Sequence, residues 1–185
     1  MRTFIAIDLE PDIKQNLCSL IRELDTGENN VRWVKKQALH LTLKFCGDIS
    51  LSLAESVKKA LEETASQTQP FQLTIEGTGR FPEKSRRPRV LWVGTQVCPS
   101  IIALQKEINR KLMFLGFPKE QHPYFPHMTL GRVKFAVGLD KILDKMDNYL
   151  THTFGTMTAD QITFYQSILK PGGAEYSILN KVKFK

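Results

Sequence analysis

Leu39-His40-Leu41-Thr42-Leu43 is the stretch that decides the fold, because its pattern returns as Pro126-His127-Met128-Thr129-Leu130. Each copy alternates polar and apolar residues, which is the period of a half-buried β-strand. Side chains two positions apart on a strand point to the same face. The histidine and the threonine of each copy therefore share one face, and the apolar residues between them can be buried on the other. The sequence thus predicts two strands of the same design.

Two copies of the His-x-Thr pattern are stronger evidence for a chemical role than one copy alone. A single copy is well explained as a half-buried histidine beside a neighbouring hydroxyl group. Two copies, each with an apolar middle residue and a following leucine, favour a shared chemical role. The main rival is a metal site, but catalytic zinc takes three protein ligands and structural zinc four. The chain has no His-Glu-x-x-His motif and no cysteine pair near these histidines. We therefore expect no metal and no other cofactor.

Composition places the chain among ordinary globular proteins. Its 185 residues, 42% of them hydrophobic, can bury a core as one domain or as two intimate lobes. No stretch is long and apolar enough to cross a bilayer, and the apolar run at the N-terminus is shorter than we expect of a signal peptide. Three cysteines without a Cys-x-x-Cys pair favour buried thiols in a reducing compartment. We expect a cytoplasmic protein with no membrane partner and no obligatory protein partner.

The net charge of +7 agrees with a polyanionic partner without demanding one. The densest basic run lies between Lys84 and Arg89 and contains four cations. Two interpretations of this basic loop stay open at this point. It is either a solvated loop or a contact to a nucleic-acid phosphate backbone.

Hydrophobic periodicity predicts a mixed α and β chain. Helical spacing of apolar residues indicates four helices, and alternation indicates strands between them. The predicted helices begin near Pro11, near Ser50 or Ser52, at Pro99 and at Leu139. They end before Gly27, after Leu61, before Gly116 and at Leu150. The predicted strands cover residues 4–9, 31–34, 39–46, 71–75, 90–93, 127–130, 161–165 and 175–179.

An offset of 87 residues separates the two histidines, since 127 minus 40 is 87. The same offset carries the first strand onto the strand at 90–93, and the first helix onto the helix that begins at Pro99. It also carries the helix after His40 onto the helix at 139–150. The order of elements therefore predicts one bilobal domain over residues 1–185, built by an approximate duplication. Two such lobes facing one another would place the two histidine strands across a groove.

Paired histidines suit proton transfer at a phosphate. Unperturbed imidazole titrates near pH 6.5, so close to neutrality one ring can be neutral while the other is protonated. The neutral ring can take a proton from a nucleophile, and the protonated ring can give one to a leaving oxygen. Thr42 and Thr129 can donate hydroxyl hydrogen bonds to the non-bridging oxygens. These residues point to phosphodiester cleavage without a metal.

The two motifs, in a basic chain of this length, resemble those of the two-histidine phosphoesterase superfamily. The opening Arg2-Thr3-Phe4-Ile5-Ala6-Ile7-Asp8 and the run from Pro126 to Arg132 are typical of its RNA 2′,3′-cyclic phosphodiesterases, also called the 2′-5′ RNA ligase family. The resemblance covers essentially the whole chain. It implies an α+β fold with two pseudo-symmetric lobes, each with an antiparallel sheet and outer helices, and an active-site groove between them.

The resemblance also implies an activity and a role for each motif residue. The activity is hydrolysis of an RNA terminal 2′,3′-cyclic phosphate to a 2′-phosphomonoester, so the partner is RNA with a cyclic end. His40 would be the proton donor to the leaving 3′ oxygen, and His127 the proton acceptor that activates water. Thr42 and Thr129 would hold the phosphate. Reversal, with a 5′-hydroxyl in place of water, would give 2′-5′ RNA ligation.

Three further residues are candidates for substrate binding. Phe45 and Arg132 lie five residues after the two histidines, where members of the family contact the phosphate or the terminal nucleotide. Strict alternation would put both on the opposite face, whereas a β-bulge after each motif, for which Gly131 is a plausible place, would bring them back. Phe125 shares the face of His127 and could stack on a base or simply pack its loop.

Two alternatives to the leading function remain open from the sequence. One keeps the chemistry and changes the substrate to a small cyclic nucleotide or a 2′-5′-linked oligonucleotide. The other is a protein that binds RNA ends without turnover.

Overall fold

The structure, a computed structural model, describes residues 1–170 and 173–185. Within these ranges the chain forms nine strands, four helices and one 3-10 turn at Lys36–Ala38. The strands are β1 (Arg2–Asp8), β2 (Val31–Trp33), β3 (His40–Asp48), β4 (Phe71–Phe81), β5 (Val90–Thr95), β6 (His127–Val133), β7 (Thr153–Ala159), β8 (Gln161–Lys170) and β9 (Gly173–Lys183). The helices are α1 (Pro11–Leu24), α2 (Leu51–Ala65), α3 (Pro99–Phe114) and α4 (Leu139–Asp147).

The strands form two antiparallel sheets. The first sheet has the order β3-β1-β8-β9, and the second has the order β2-β6-β5-β4-β7. Each sheet therefore contains one of the two histidine strands, with β3 at an edge of the first sheet and β6 inside the second. This is the α+β architecture with one antiparallel sheet per lobe that the family resemblance implies.

The helices begin and end where local chemistry dictates. Proline occupies the first turn of α1 and of α3, where a missing N–H is tolerated. Ser50 caps α2, because its hydroxyl oxygen accepts a 3.1 Å hydrogen bond from the Leu53 N–H. Gly116 follows α3 at φ +90°, a backbone conformation that favours glycine.

The alternation around each histidine builds the core. Leu39, Leu41 and Leu43 are at most 2% exposed, and Met128 and Leu130 are fully buried. Burying each such side chain contributes roughly 1.5–3 kcal/mol relative to leaving it in water. The apolar residues of the two motifs thus hold the strands in place and leave the polar residues on the opposite face.

Two helices cross from one lobe to the other. The helix α1 follows a strand of the first sheet but packs beside the second, where the Asn16 amide donates a 2.8 Å hydrogen bond to the Phe154 carbonyl. The helix α3 follows a strand of the second sheet but packs beside the first, where Gln105 donates to the Leu43 carbonyl. Each lobe is therefore assembled from both halves of the chain.

The structure corrects several details of the sequence prediction. The strand β7 was not predicted, because its run of threonines around Gly155 lacks a clear apolar face apart from Phe154, Met157 and Ala159. The last helix ends at Asp147 rather than Leu150. The cysteines, expected to be buried, are half-buried and unpaired: Cys18, Cys46 and Cys98. In the part of the chain that the structure describes, no helix is long and apolar enough to span a membrane.

Candidate active site

His40 lies at the start of β3, on an aromatic surface of the first sheet. Its ring stacks on Phe4 with 4.7 Å between ring centroids, and Tyr176 meets it edge-on at 5.4 Å. Tyr165 in turn stacks on Phe4 at 5.0 Å. Thr42 lies two residues along the same face, opposite Ala6 of β1. The first histidine is therefore half-buried in a fixed aromatic setting that the sequence analysis did not identify.

His127 lies at the start of β6 in a matching position of the second sheet. Its Nδ1 is 2.8 Å from the carbonyl oxygen of Phe125, two residues before it. When the ring is neutral, donation from Nδ1 to this carbonyl leaves the Nε2 lone pair free to accept a proton. Thr129 shares the face of His127 and opposes Trp92 of β5.

A β-bulge follows each histidine at the equivalent residue. In the pairing of β1 with β3, Ile5 opposes Lys44 and Ala6 opposes Thr42, so Leu43 is the extra residue. In the pairing of β5 with β6, Leu91 opposes Gly131 and Trp92 opposes Thr129, which makes Leu130 the extra residue. Each bulge reverses the alternation of side chains beyond it.

The bulges decide where Phe45 and Arg132 point. Phe45 opposes Phe4, and the two rings are 6.2 Å apart, so Phe45 lies on the face of His40 with 65% of its surface exposed. Arg132 opposes Val90, two residues from Trp92 on β5, and therefore lies exposed on the face of His127. Both residues thus share the face of their histidine.

The surroundings of His40 disfavour the charged form of its ring. Burial lowers its pKa from 6.5 to about 4; the carboxylate of Asp8 acts in the opposite direction, and Lys14 adds to the lowering. A negatively charged phosphate placed beside the ring would oppose the effect of burial and raise this pKa. The ring is therefore suited to gaining its proton together with an anionic ligand.

Asp8 is a candidate site residue that the sequence analysis did not identify. It lies directly opposite His40 in the pairing of β1 with β3. Its carboxylate accepts hydrogen bonds from the Thr163 hydroxyl at 2.9 Å and from the Tyr165 phenol, and Lys181 Nζ lies 3.3 Å away. Burial acts to raise its pKa, but these donors and Lys181 outweigh burial and hold it below its ordinary value. Only the strand register reveals this pairing, and the sequence does not give the register.

His127 also has a lowered pKa. Burial is the main cause; the Phe125 carbonyl acts in the opposite direction, and the positive charge of Arg132 adds to the lowering. A neutral imidazole at neutral pH is the form that can accept a proton from a nucleophile.

Contacts between the lobes bring the two histidine strands to one groove. The Tyr124 phenol, in the loop before β6, donates a 2.9 Å hydrogen bond to the Thr42 carbonyl. Burial raises the pKa of Tyr176, and the charges of Arg132 and Arg2 oppose this rise. Tyr176 thus touches the ring of His40 and also lies within the field of Arg132 from the other sheet. The Tyr124 hydrogen bond and the contacts of β3 with β6 hold the two histidine strands next to one another.

The loop before β6 is fastened to β3 at a second point. Lys44, turned inward by the first bulge, is buried, and its ammonium group contacts the Glu120 carboxylate and, at 3.4 Å, the Pro118 carbonyl. Because this loop carries Phe125 and its carbonyl, these contacts set the position of His127 relative to Thr42.

Phe125 lies beside His127, with 6.3 Å between ring centroids and 49% of its surface exposed.

The remaining histidines, His122 and His152, lie apart from His40 and His127. His122 is exposed in the loop before β6, and His152 packs against Tyr149 and Phe154. Among residues 1–170 and 173–185, no group of three or more histidine, cysteine or acidic side chains is placed to hold a metal ion.

The basic loop, residues 84–89, lies next to the second sheet. Its four cations are exposed: Lys84, Arg86, Arg87 and Arg89. Arg86 forms a 3.0 Å ion pair with Asp140, but both side chains are largely exposed, so the pair stabilises the fold little.

Known proteins are similar to this chain over nearly its whole length. A family model described as the 2′-5′ RNA ligase superfamily matches residues 13–168. A protein of Methanocaldococcus jannaschii named RNA 2′,3′-cyclic phosphodiesterase is 34% identical and covers 98% of this chain and 99% of its own length. A protein of the same name from Thermotoga maritima is 30% identical, covering 100% and 96%.

Solved structures share the fold. The crystal structure of TT0787 from Thermus thermophilus has a TM-score of 0.85 at 24% identity, covering 100% of this chain and 98% of that one. Escherichia coli LigT, crystallised with 3′-AMP, has a TM-score of 0.81 at 24% identity and covers 99% and 97%. At this level of identity the two structures establish the architecture alone.

Proposed function

The chain belongs to the 2′-5′ RNA ligase superfamily, and from that premise we propose that it hydrolyses the 2′,3′-cyclic phosphate at the end of an RNA to a 2′-phosphomonoester. The observation that carries the proposal is the matched pair of His-x-Thr faces, one per sheet, on two strands that contact one another. Relatives that bear the name of this activity match nearly the full chain.

His127 acts as the proton acceptor in this reaction. With Nδ1 donating to the Phe125 carbonyl, Nε2 takes a proton from water as the water oxygen bonds to phosphorus. The low pKa of this ring keeps it neutral at neutral pH. Arg132, on the same face, contributes positive charge next to the phosphate.

His40 acts as the proton donor to the leaving group. The bond from phosphorus to the 3′ oxygen breaks, and the proton of His40 passes to that oxygen, leaving the phosphate on the 2′ oxygen. Burial lowers its pKa to about 4 even with the carboxylate of Asp8 beside it, so the negative charge of the bound phosphate supplies the further field that protonates the ring.

Thr42 and Thr129 hold the phosphate from the two sides of the groove. Each hydroxyl lies two residues from its histidine on the same face, and each can donate to a non-bridging oxygen whose charge grows in the transition state. Phe45 provides an exposed ring for the terminal base on the side of His40.

The test is incubation of the protein, with a chelator present, with a short RNA bearing a 2′,3′-cyclic phosphate. We expect the end to become a 2′-phosphomonoester, which is distinguished from the 3′ isomer by chromatography. Persistence of the cyclic end would reject the proposal, and binding without turnover would indicate an RNA-end-binding protein. Parallel reactions with a free cyclic mononucleotide and a 2′-5′-linked dinucleotide decide between the substrate classes.

The chain also fits one bilobal domain with an internal repeat. Adding 87 to the bounds of β3, 40–48, gives 127–135, and β6 occupies 127–133. Adding it to α1, 11–24, gives 98–111, and α3 occupies 99–114. The order β3-β1-β8 in the first sheet parallels β6-β5-β4 in the second.

Three unpaired cysteines support a reducing, cytoplasmic location.

A further inference from the structure

The second sheet carries an aromatic cluster around His127 to which the hydrolysis proposed above assigns no role. It consists of Phe81, Trp92 and Phe125. Phe81 meets the His127 ring edge-on at 5.0 Å, and Trp92 lies 5.3 Å from Phe81 and 5.0 Å from Phe125. Phe125 is the exposed member of the cluster.

Two glycines give the cluster its shape. A Cβ atom at Gly79 would lie 2.1 Å from the Trp92 ring, and one at Gly94 would lie 3.2 Å from it. The indole therefore lies over the backbone of β4 at Gly79 and of its own strand β5 at Gly94, in space that side chains would otherwise fill. The result is an aromatic surface, continuous from Phe81 to Phe125, beside His127.

The first sheet carries a separate aromatic cluster around His40, formed by Phe4, Tyr165 and Tyr176, with Phe45 at its edge. Each histidine thus has its own aromatic surface. In the proposed function His40 protonates the leaving 3′ oxygen, so the nucleoside that bears the cyclic phosphate lies on the side of His40. The nucleophile enters opposite the leaving oxygen, on the side of His127.

The basic loop, residues 84–89, begins three residues after Phe81, a member of the aromatic cluster of the second sheet. Residues 82–89 directly follow Phe81, and the Arg89 N–H donates a 2.7 Å hydrogen bond to the Phe81 carbonyl, which holds the loop against the end of β4. Lys84 and Arg87 are exposed and have no ion-pair partner among the described residues. An RNA strand that extends from the aromatic surface past Phe81 would contact Lys84 and Arg87 first.

We propose that Phe81, Trp92 and Phe125 bind the 5′-terminal nucleoside of a second RNA, and that the basic loop contacts the phosphate that follows it. The inference rests on the proposed function. The 5′-hydroxyl of the bound nucleoside replaces water: its proton passes to His127, its oxygen bonds to phosphorus, and the 3′ oxygen leaves with the proton of His40. The product is a 2′-5′ phosphodiester.

Fluorescence of Trp92 tests binding directly. The chain has two tryptophans, so the Trp33→Phe variant reports on Trp92 alone. Titration with a diribonucleoside monophosphate that has a free 5′-hydroxyl should quench the emission saturably, and the quenching should persist with excess 2′-AMP on the side of His40. Absence of quenching, or its complete displacement by 2′-AMP, would overturn the proposal.

The ratio of joined to hydrolysed product tests function. With a cyclic-ended RNA and an excess of 5′-hydroxyl RNA, Phe81→Leu should lower this ratio at least about fivefold, because loss of a base-stacking ring weakens binding by roughly this factor or more. The control is Phe135→Leu, an exposed phenylalanine outside the cluster, which should leave the ratio unchanged. A ratio unchanged in Phe81→Leu would contradict the site.

A second variant avoids any effect on folding. Lys84→Ala with Arg87→Ala changes only exposed side chains. It should weaken binding of the diribonucleoside monophosphate and reduce the slope of log Kd against log salt concentration, whereas Lys106→Ala, exposed on α3, should not. Hydrolysis of the cyclic end without quenching of Trp92 fluorescence would reject the nucleoside site and leave the proposed function standing. Quenching without hydrolysis of the cyclic end rejects the proposed function and leaves the nucleoside site standing.

Discussion

Asp8 lies directly opposite His40 on the neighbouring antiparallel strand, and every strong donor around its carboxylate comes from elsewhere in the first sheet. The carboxylate is therefore held in place and ionised while it faces the ring of His40. A fixed negative charge at this position favours the protonated form of the ring. Asp8 is thus a positioning residue for the proposed proton donor.

Replacing Asp8 by asparagine should lower the pKa of His40 further and reduce kcat at neutral pH by about tenfold. Because the donor must be protonated, the alkaline limb of the pH–rate profile should move to lower pH. The matched control is Asp48→Asn, at the exposed far end of the same pair of strands. An alkaline limb that stays in place would contradict the role of Asp8, whatever happens to thermal stability.

The two motif histidines should be required for turnover rather than for binding. His40→Gln and His127→Gln should each lower kcat by about a hundredfold or more, since each removes one proton-transfer step. The dissociation constant for a 2′-phosphate product should change only a few-fold. His152→Gln, in the aromatic packing against Tyr149 and Phe154, provides the control. Loss of activity through loss of binding alone would argue against acid–base roles.

The pKa of His40 also predicts how the fold responds to acid. The folded-state pKa of about 4 lies below the unfolded value of 6.5, so the unfolded state binds the proton more tightly. Stability should therefore fall as the pH drops from about 6.5 towards 4, by about 2–3 kcal/mol at pH 4.5 from this ring. Urea denaturation at pH 7 and pH 4.5 measures the difference, which should shrink in His40→Gln.

Asp8 contributes to acid sensitivity in a different pH window. Its folded-state pKa lies below the unfolded 3.8, so the stability it contributes is present above that value and is lost only at lower pH. A fall in stability between pH 6.5 and 4.5 that is equal in the wild-type protein and in His40→Gln would show that His40 is not its source.

Gly79 should be required for the position of Trp92. In Gly79→Ala the new Cβ would meet the indole at 2.1 Å, and the overpacking should lower the free energy of unfolding by about 1–3 kcal/mol. The same substitution made in Trp92→Leu should cost less than about 1 kcal/mol, because the opposing ring is gone. Additive effects in this double-mutant cycle would show that the two residues do not oppose one another.

Tyr124→Phe should separate positioning from stability. Removing the hydroxyl deletes the hydrogen bond to the Thr42 carbonyl and should lower the free energy of unfolding by about 1 kcal/mol. It should also lower kcat, because the loop that carries the Phe125 carbonyl loses its contact with β3. Tyr149→Phe removes a hydrogen bond to Glu23 far from the groove, and should affect stability alone. Equal kcat in the two variants would reject the positioning role.

The positions of the strands and helices were readable from hydrophobic periodicity, because the buried residues on each element follow its repeat. Ser50 as a helix cap and Pro11 and Pro99 as first-turn residues were readable from local chemistry in the same way. The strand β7 was missed because its stability comes from its partner β4 rather than from its own composition.

The register between strands was not readable, and much of the candidate site depends on it. Gly131 gave a hint of the bulge in β6, whereas in β3 the extra residue is Leu43, which carries no such signal. The pairing of Asp8 with His40 likewise depends on the strand register. These contacts join residues far apart in sequence, and the packing of the complete sheet selects them.

The exchange of α1 and α3 between the lobes bears on how such a protein could have evolved and how it can be engineered. A polypeptide cut midway, near residue 88, would divide both sheets, with β1 to β4 on one fragment and β5 to β9 on the other. It would also separate α1 from Phe154 and α3 from Leu43, their hydrogen-bond partners on the other fragment. Such fragments should recover a native structure only when mixed. Duplication of an ancestral gene would then have begun with an intertwined homodimer, whose two subunits were later joined into a single chain.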